Sequence, residues 1–160
     1  MPRTCRHAGA ERQRFLDVAR DEMDLVTNNL AYTAIEGVLL TLRRRLAAEP
    51  ALRFADILAT VPQAIFATHW QPAAPSPGGN RDEETGEAQA LRLHNNLTPG
   101  NCIEAKAIAL RAIVRADEID PVLAAFGPQA QALWHVDPGA FAPSIFPEPR
   151  VARACGGGRK

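Results

Sequence analysis

The sequence predicts an all-α protein, built from two degenerate repeats of short helices that pack as small bundles. Aromatic residues make up only 6% of the 160 residues, whereas alanine, the strongest helix former, occurs 29 times. Apolar residues recur at spacings of three and four, which is the pattern of a helix with one buried face. Proline begins or stops several of these stretches, as it does at helix ends.

The first predicted repeat covers residues 10–70. Its clearest segment is a long amphipathic helix that Thr27 or Asn28 can cap, because both side chains can accept a bond from a free backbone amide. Shorter apolar stretches come before and after it, and Pro50 and Pro62 each stand near a new helix start. Four helices are therefore expected, at about residues 15–19, 30–46, 50–58 and 62–70.

The second predicted repeat covers residues 91–136. Asn101 and Glu104 have the spacing of a capping box and predict the start of its longest helix. The expected helices lie at about residues 88–97, 101–114, 121–126 and 128–135.

Two segments rich in proline, glycine or charge flank this second repeat. Residues 71–90 contain no large apolar side chain and predict a flexible linker. Residues 137–160 contain four prolines and three consecutive glycines, which predict an irregular tail.

The two halves share an order of elements that suggests duplication. Each half has a short helix, a long amphipathic helix and two brief helices, the second of which starts with Pro, Gln and Ala and ends near Trp and His. The shared tripeptides are 62–64 and 128–130. Because self-similarity of this kind is typical of repeat architectures, we interpret the halves as related.

Two sets of residues, one in each half, form a pattern that is known from another family. In the first half they are Ala31, Tyr32, Ala34, Val38, Leu39, Leu42, Arg43, Arg45, Leu46, Val61, Pro62 and Trp70. In the second half they are Asp117, Glu118, Ile119, Val122, Pro128, Leu133 and Trp134. With these residues the chain resembles an uncharacterised bacterial family, domain of unknown function 2267, over about residues 12–136. The resemblance implies a two-repeat helical architecture, and no activity or catalytic residue comes with it.

Charge and cysteine content point to a cytoplasmic protein without a strong electrostatic preference. Eighteen basic and eighteen acidic residues give no net charge, so no overall field attracts nucleic acid. Three cysteines without paired spacing favour reduced thiols. Charges interrupt the first thirty residues, and no later apolar run approaches the roughly 20 residues of a membrane span.

The most distinctive polar signals are two tryptophans with adjacent histidines. His69 with Trp70 and Trp134 with His135 are candidates for a pocket between the repeats that binds a cation. The alternative is structural, with each tryptophan closing the end of its bundle. Metal binding is not predicted, because none of these histidines, His94 or Cys102 has the spacing of paired ligands on a helix.

Cys102 supplies the main alternative function. In the first turn of a capped helix the helix dipole lowers a thiol pKa, which is compatible with a thiol enzyme or redox sensor. The basic run 43–45 gives a further alternative, nucleic-acid binding through arginine. Three consecutive helical residues point in different directions, however, and do not make one stripe.

No catalytic constellation or cofactor-binding motif emerges from the remaining residues. Ser76 lies in the predicted linker and Ser144 in the tail, which separates both from a helical scaffold beside a histidine. We therefore predict a non-enzymatic interaction or adaptor module that binds a protein partner or self-associates.

Overall fold

The computed structural model of the chain describes residues 3–91 and 97–136, apart from the side chains of residues 3–8 and 129. These residues form helices and no strand, which confirms the all-α prediction. The helices are α1 (Arg3–Glu22), α2 (Asn28–Arg44), α3 (Ala48–Ile57), α4 (Thr60–Ala67), α5 (Arg81–Ala90), α6 (Cys102–Arg111), α7 (Ala116–Ala124) and α8 (Pro128–Trp134). The tail predicted at 137–160 and His94 lie outside the described residues.

Helix α2 is the centre of the fold. It contacts α1, α4, α5 and α6. The Thr27 hydroxyl accepts a hydrogen bond from the Leu30 amide at 3.3 Å and so caps this helix as predicted. Its buried residues lie on a broad face, as expected of a helix with neighbours on several sides. They are Ala31, Thr33, Ala34, Ile35, Gly37, Val38, Leu39, Thr41 and Leu42.

One apolar core joins the two halves of the chain. Helix α1 packs on α6, α3 packs on α7, and α2 packs on both α5 and α6. Buried residues from 15 to 136 belong to a single contiguous cluster. The division into two repeats stays a prediction, and the contacts between halves show that each half buries part of its apolar surface against the other.

The linker predicted at 71–90 is wrong for its second part, because Arg81–Ala90 forms helix α5. Asn80 starts this helix with a capping box. Its side chain accepts from the Glu83 amide at 2.9 Å, and the Glu83 carboxylate accepts from the Asn80 amide at 2.9 Å. Residues 71–78 are exposed and without helix, which agrees with the irregular chain that proline and glycine favour there.

Helices α2 and α5 approach closely at a glycine. A Cβ atom on Gly37 would lie 2.5 Å from the carbonyl oxygen of Ala88, and real Cβ atoms do not approach an oxygen that closely. Ala88 is completely buried at this point. The missing side chain of Gly37 therefore permits the helix crossing.

The capping box predicted at Asn101 and Glu104 is also wrong. Asn101 has φ −91° and ψ 12°, and its side chain does not cap α6. Instead its Nδ2 donates to the carbonyl oxygen of Glu22 at 2.7 Å. A side chain that bridges to α1 in this way cannot also turn back to its own helix, so tertiary contact replaces the local motif.

Candidate functional site

A row of aromatic rings crosses the core and connects the two tryptophans. The centroid of the Trp70 ring lies 6.2 Å from that of Phe66, which lies 5.2 Å from that of Phe54. Phe54 in turn lies 5.9 Å from Trp134, nearly edge to face. Edge-to-face pairs at these distances are favourable. The row brings both tryptophans into one cluster, although they belong to different halves of the chain.

A lysine amine lies against one end of this row. Lys106, on α6, has no exposed surface. Its Nζ lies 3.8 Å from the centroid of the Trp134 ring and 5.7 Å from that of Phe54. Among the described residues, Nζ has no hydrogen-bond partner. A buried amine without such a partner is rare in folded proteins, which makes this position a candidate site.

Burial sets the ionisation of this amine. Loss of solvation lowers the pKa of Lys106 well below its usual value, and the nearby Cys102 and Glu84 oppose this only in part. The face of Trp134 also favours the ammonium form, but it cannot replace the water that a charged amine needs. Burial therefore shifts the protonation equilibrium of this amine toward its neutral form.

Glu84, on α5, forms an ion pair with Arg45, the residue that follows the C-terminus of α2. Arg45 Nε lies 2.9 Å from Glu84 Oε1, and its Nη2 lies 2.7 Å from Glu87 Oε2. The side chains of Arg45 and Glu84 are 14% and 7% exposed. Because little water reaches either charge, each one depends on the other for its stabilisation. Because Arg45 already satisfies Glu84, the carboxylate does little to hold a proton on Lys106.

Cys102 lies one helical turn before Lys106 and is 1% exposed. Burial raises the pKa of its thiol. The backbone amides of Ile103 and Cys102, then Lys106 and Thr85, lower the same pKa but do not outweigh burial. The interpretation of Cys102 as a reactive thiol stays a prediction, and desolvation opposes the effect of the helix dipole on its pKa.

A separate groove opens on the surface beside the C-terminus of α2. Its volume is about 290 Å³. The segment that follows α4 forms one wall, and the Ser76 amide donates to the Arg44 carbonyl at 2.8 Å. The groove is lined by Arg43, Arg44, Leu46, His69, Trp70, Gln71, Ala73, Ala74 and Ser76.

The four residues of the predicted inter-repeat pocket occupy three different environments. His69 is exposed and, with the half-buried Trp70, lines the groove. Trp134 is 2% exposed and lies in the core. His135 follows the end of α8 and is exposed. Within 3–91 and 97–136, no three metal-binding side chains come together.

Sequence reasoning missed Lys106, although its position carries a signal. Lys106 lies three residues after Ile103 and four before Leu110, both of which are apolar and buried. Residues at these spacings share a helix face, so Lys106 belongs to the apolar stripe. Reading α6 as a helix with a lysine inside its buried face would have identified it.

Fold and site together define a helical protein with one shared core and a fully buried lysine inside it. In the described part of the chain, no helix is long and apolar enough to cross a membrane. The chain belongs to the family DUF2267, described as uncharacterized conserved protein, whose model matches residues 12–133. A comparison with curated proteins finds no match.

Proposed function

We propose that the protein is a non-enzymatic interaction module, and that its surface groove binds an acidic segment of a partner protein. The observation that carries this proposal is the composition of the groove. Its lining includes Arg43, Arg44 and His69 but no aspartate or glutamate. Arg44 Nη1 also lies 3.0 Å from Glu87 Oε1 on α5, but the Arg44 side chain is 52% exposed, so this pair is weak. A concave site with cationic groups and an aromatic side chain suits a carboxylate and the chain that bears it.

The environment of Arg43 supports the preference of the groove for an acidic segment. Its guanidinium donates to the carbonyl oxygens of Phe66 at 2.6 Å and Thr68 at 2.9 Å. Burial, followed by repulsion from Arg44, lowers the pKa of Arg43. An anion in the groove would offset both effects, because it would replace lost solvation and screen the two like charges.

The opposite wall is held in a fixed shape. His69 has φ 50°, the left-handed region that a residue with a side chain adopts at a cost of about 1 kcal/mol. The next amide, that of Trp70, donates to the Ala67 carbonyl at 3.2 Å, and the Trp70 ring packs against Phe66. A preformed wall reduces the entropy that a bound segment must lose.

The alternatives predicted from the sequence have less support. Arg45 pairs with Glu84 and Glu87, so the run 43–45 does not form a free basic stripe for nucleic acid. Cys102 is buried and its thiol pKa is raised, which argues against a thiol enzyme. Its free, buried thiol agrees with a cytoplasmic location, where thiols stay reduced.

Fluorescence anisotropy with a defined acidic peptide tests the proposal. The probe is a fluorescein-labelled peptide of alternating glutamate and serine, compared with the same peptide carrying glutamine, at about 150 mM salt. We expect binding of the glutamate peptide only. Arg44→Gln should weaken it about tenfold, the usual effect of losing one charge-assisted bond.

Arg53→Gln is the matched control, because Arg53 is an exposed arginine on α3 that pairs with Glu49 outside the groove. It should leave binding unchanged. Equal binding of both peptides, or equal loss in both variants, would contradict the proposal. Tighter binding of random-sequence duplex DNA, abolished by Arg44→Gln, would favour the nucleic-acid alternative instead.

A further inference from the structure

Cys102 and Lys106 lie on the same buried face of α6, one turn apart. Side chains at i and i+4 are neighbours on a helix, and long helical side chains lean toward the N-terminus. The two groups also affect each other's ionisation, because Lys106 lowers the pKa of Cys102 and Cys102 raises that of Lys106. The two residues are 1% and 0% exposed, so they share an enclosed environment from which bulk water is excluded.

The amine at this position has the properties of a nucleophile. Among the residues that the structure describes, Nζ has no hydrogen-bond partner that would occupy its lone pair. The groups that face it are Cys102 on its own helix, Glu84 on α5, and the rings of Phe54 and Trp134. Glu84 is held by Arg45, which leaves the neutral amine favoured by burial.

We propose that Cys102 and Lys106 form a redox modification site, in which a small peroxide converts the thiol and the amine into a sulfur–nitrogen cross-link. Nothing in the proposed binding function of the groove requires this site. The two proposals rest on different residues and are tested separately.

The reaction balances in two steps. Hydrogen peroxide oxidises the Cys102 thiol by two electrons: an S–O bond forms, the O–O bond breaks, and one water leaves, which gives a sulfenic acid. The Nζ lone pair then attacks the sulfur. An S–N bond forms, the S–O bond breaks, and the hydroxyl leaves as water with one amine proton.

The surroundings determine which oxidants can react and how fast. We expect a thiol that is 1% exposed to react with an oxidant as small as hydrogen peroxide and not with large electrophiles. Because burial raises the pKa of Cys102, little thiolate is present and oxidation is slow. Once a sulfenic acid forms, the neighbouring amine reacts in preference to a thiol from outside.

Intact-mass spectrometry tests the proposal on the full chain with Cys5→Ser and Cys155→Ser, which removes disulfides as another source of the same mass change. After hydrogen peroxide, the cross-linked protein should be about 2 Da lighter than the reduced protein. Dithiothreitol should restore the original mass once guanidinium has exposed the cross-link. A tryptic digest should lose the cleavage after Lys106, one of the two lysines in the chain.

Two comparisons isolate the role of the amine. Lys106→Met should stop at the sulfenic acid or its higher oxides, about 16 Da or more heavier, whereas Lys160→Met should still lose about 2 Da. In guanidinium the lysine is solvated and protonated at neutral pH, so the unfolded chain should give only the heavier products.

Three results would overturn the proposal. They are an unchanged mass after peroxide, a heavier product alone from the folded parent, and a lighter product from Lys106→Met. The unfolded control uses the parent sequence, so the conclusion does not depend on how well any lysine variant folds.

Discussion

The Nζ atom of Lys106 lies 3.8 Å from the centre of the Trp134 ring, so the last described helix covers an amine that α6 contributes to the core. This contact links stability to pH, because covering the amine removes the water that its charged form requires. The consequence is measurable in the folded protein without any ligand.

We predict that stability rises with pH below about pH 8.5 because of Lys106. Its pKa is lowered in the folded state, so between that pKa and the value near 10.4 of an unfolded lysine the unfolded chain binds one more proton. Stability then increases by up to about 1.4 kcal/mol per pH unit and is constant below the folded pKa. Urea unfolding from pH 6 to 8.5 measures this slope.

The increase in stability with pH that Lys106 causes should be absent from Lys106→Met and present in Lys160→Met. The pH range of this prediction ends at about 8.5 because the pKa of Cys102 is raised in the folded protein. Above about pH 8.5 the unfolded thiol loses its proton first, and its contribution to stability falls with rising pH. Equal slopes in the parent and in Lys106→Met would show that the amine is charged in the fold.

Arg45→Gln should destabilise the protein by about 3–5 kcal/mol at neutral pH, because it leaves the buried Glu84 carboxylate without its partner. Arg44→Gln is the control. Arg44 also pairs with Glu87, but its side chain is 52% exposed, and exposed pairs contribute about 0–1 kcal/mol. Chemical denaturation of both variants gives the comparison, and similar losses would contradict the importance of the buried pair.

Gly37→Ala should destabilise the protein by about 1–3 kcal/mol, because the new methyl group would overlap the Ala88 carbonyl and push α5 away from α2. Gly86→Ala makes the same chemical change on α5 where nothing lies within 4 Å, and it should stabilise by up to about 1 kcal/mol. Thermal melts of the two variants should shift in opposite directions. If Gly37→Ala raised the melting temperature as Gly86→Ala is expected to do, a close contact between α2 and α5 would be excluded.

We predict one cooperative unfolding transition for both halves, because helices of each half pack on helices of the other. Differential scanning calorimetry measures this directly. The calorimetric enthalpy should equal the van't Hoff enthalpy. Two resolved transitions would show that residues 10–70 and 91–136 fold as separate units.

The sequence predicted the helices best where local and tertiary preferences agree. Thr27 caps α2 as expected, since nothing else competes for its hydroxyl there. Asn101 was expected to cap α6 on the same grounds, but its amide group binds the Glu22 carbonyl, 79 residues away in the chain. Spacing alone does not reveal that competitor. The capping box at Asn80 and Glu83 had the right spacing but lay in a stretch too polar to suggest a helix.

The candidate site was less predictable because it depends on which helices meet. Periodicity shows that Lys106 lies on the buried face of α6, but not that Trp134 covers it or that Arg45 neutralises Glu84. Those contacts join α2, α5, α6 and α8 and require the tertiary structure. Cys102 was found from its place in the first turn, whereas its burial, which raises the pKa of its thiol, cannot be inferred from a helix start.

The packing of α1 on α6 has a consequence for synthesis on the ribosome. Helix α1 packs on α2 and α4 as well as on α6, so its apolar side chains are fully covered only once Cys102–Arg111 has emerged. At about 5–20 residues per second that takes several seconds. During this delay the nascent chain presents a partly covered amphipathic helix to any chaperone near the exit tunnel. The fold therefore closes late in translation, when its second half becomes available.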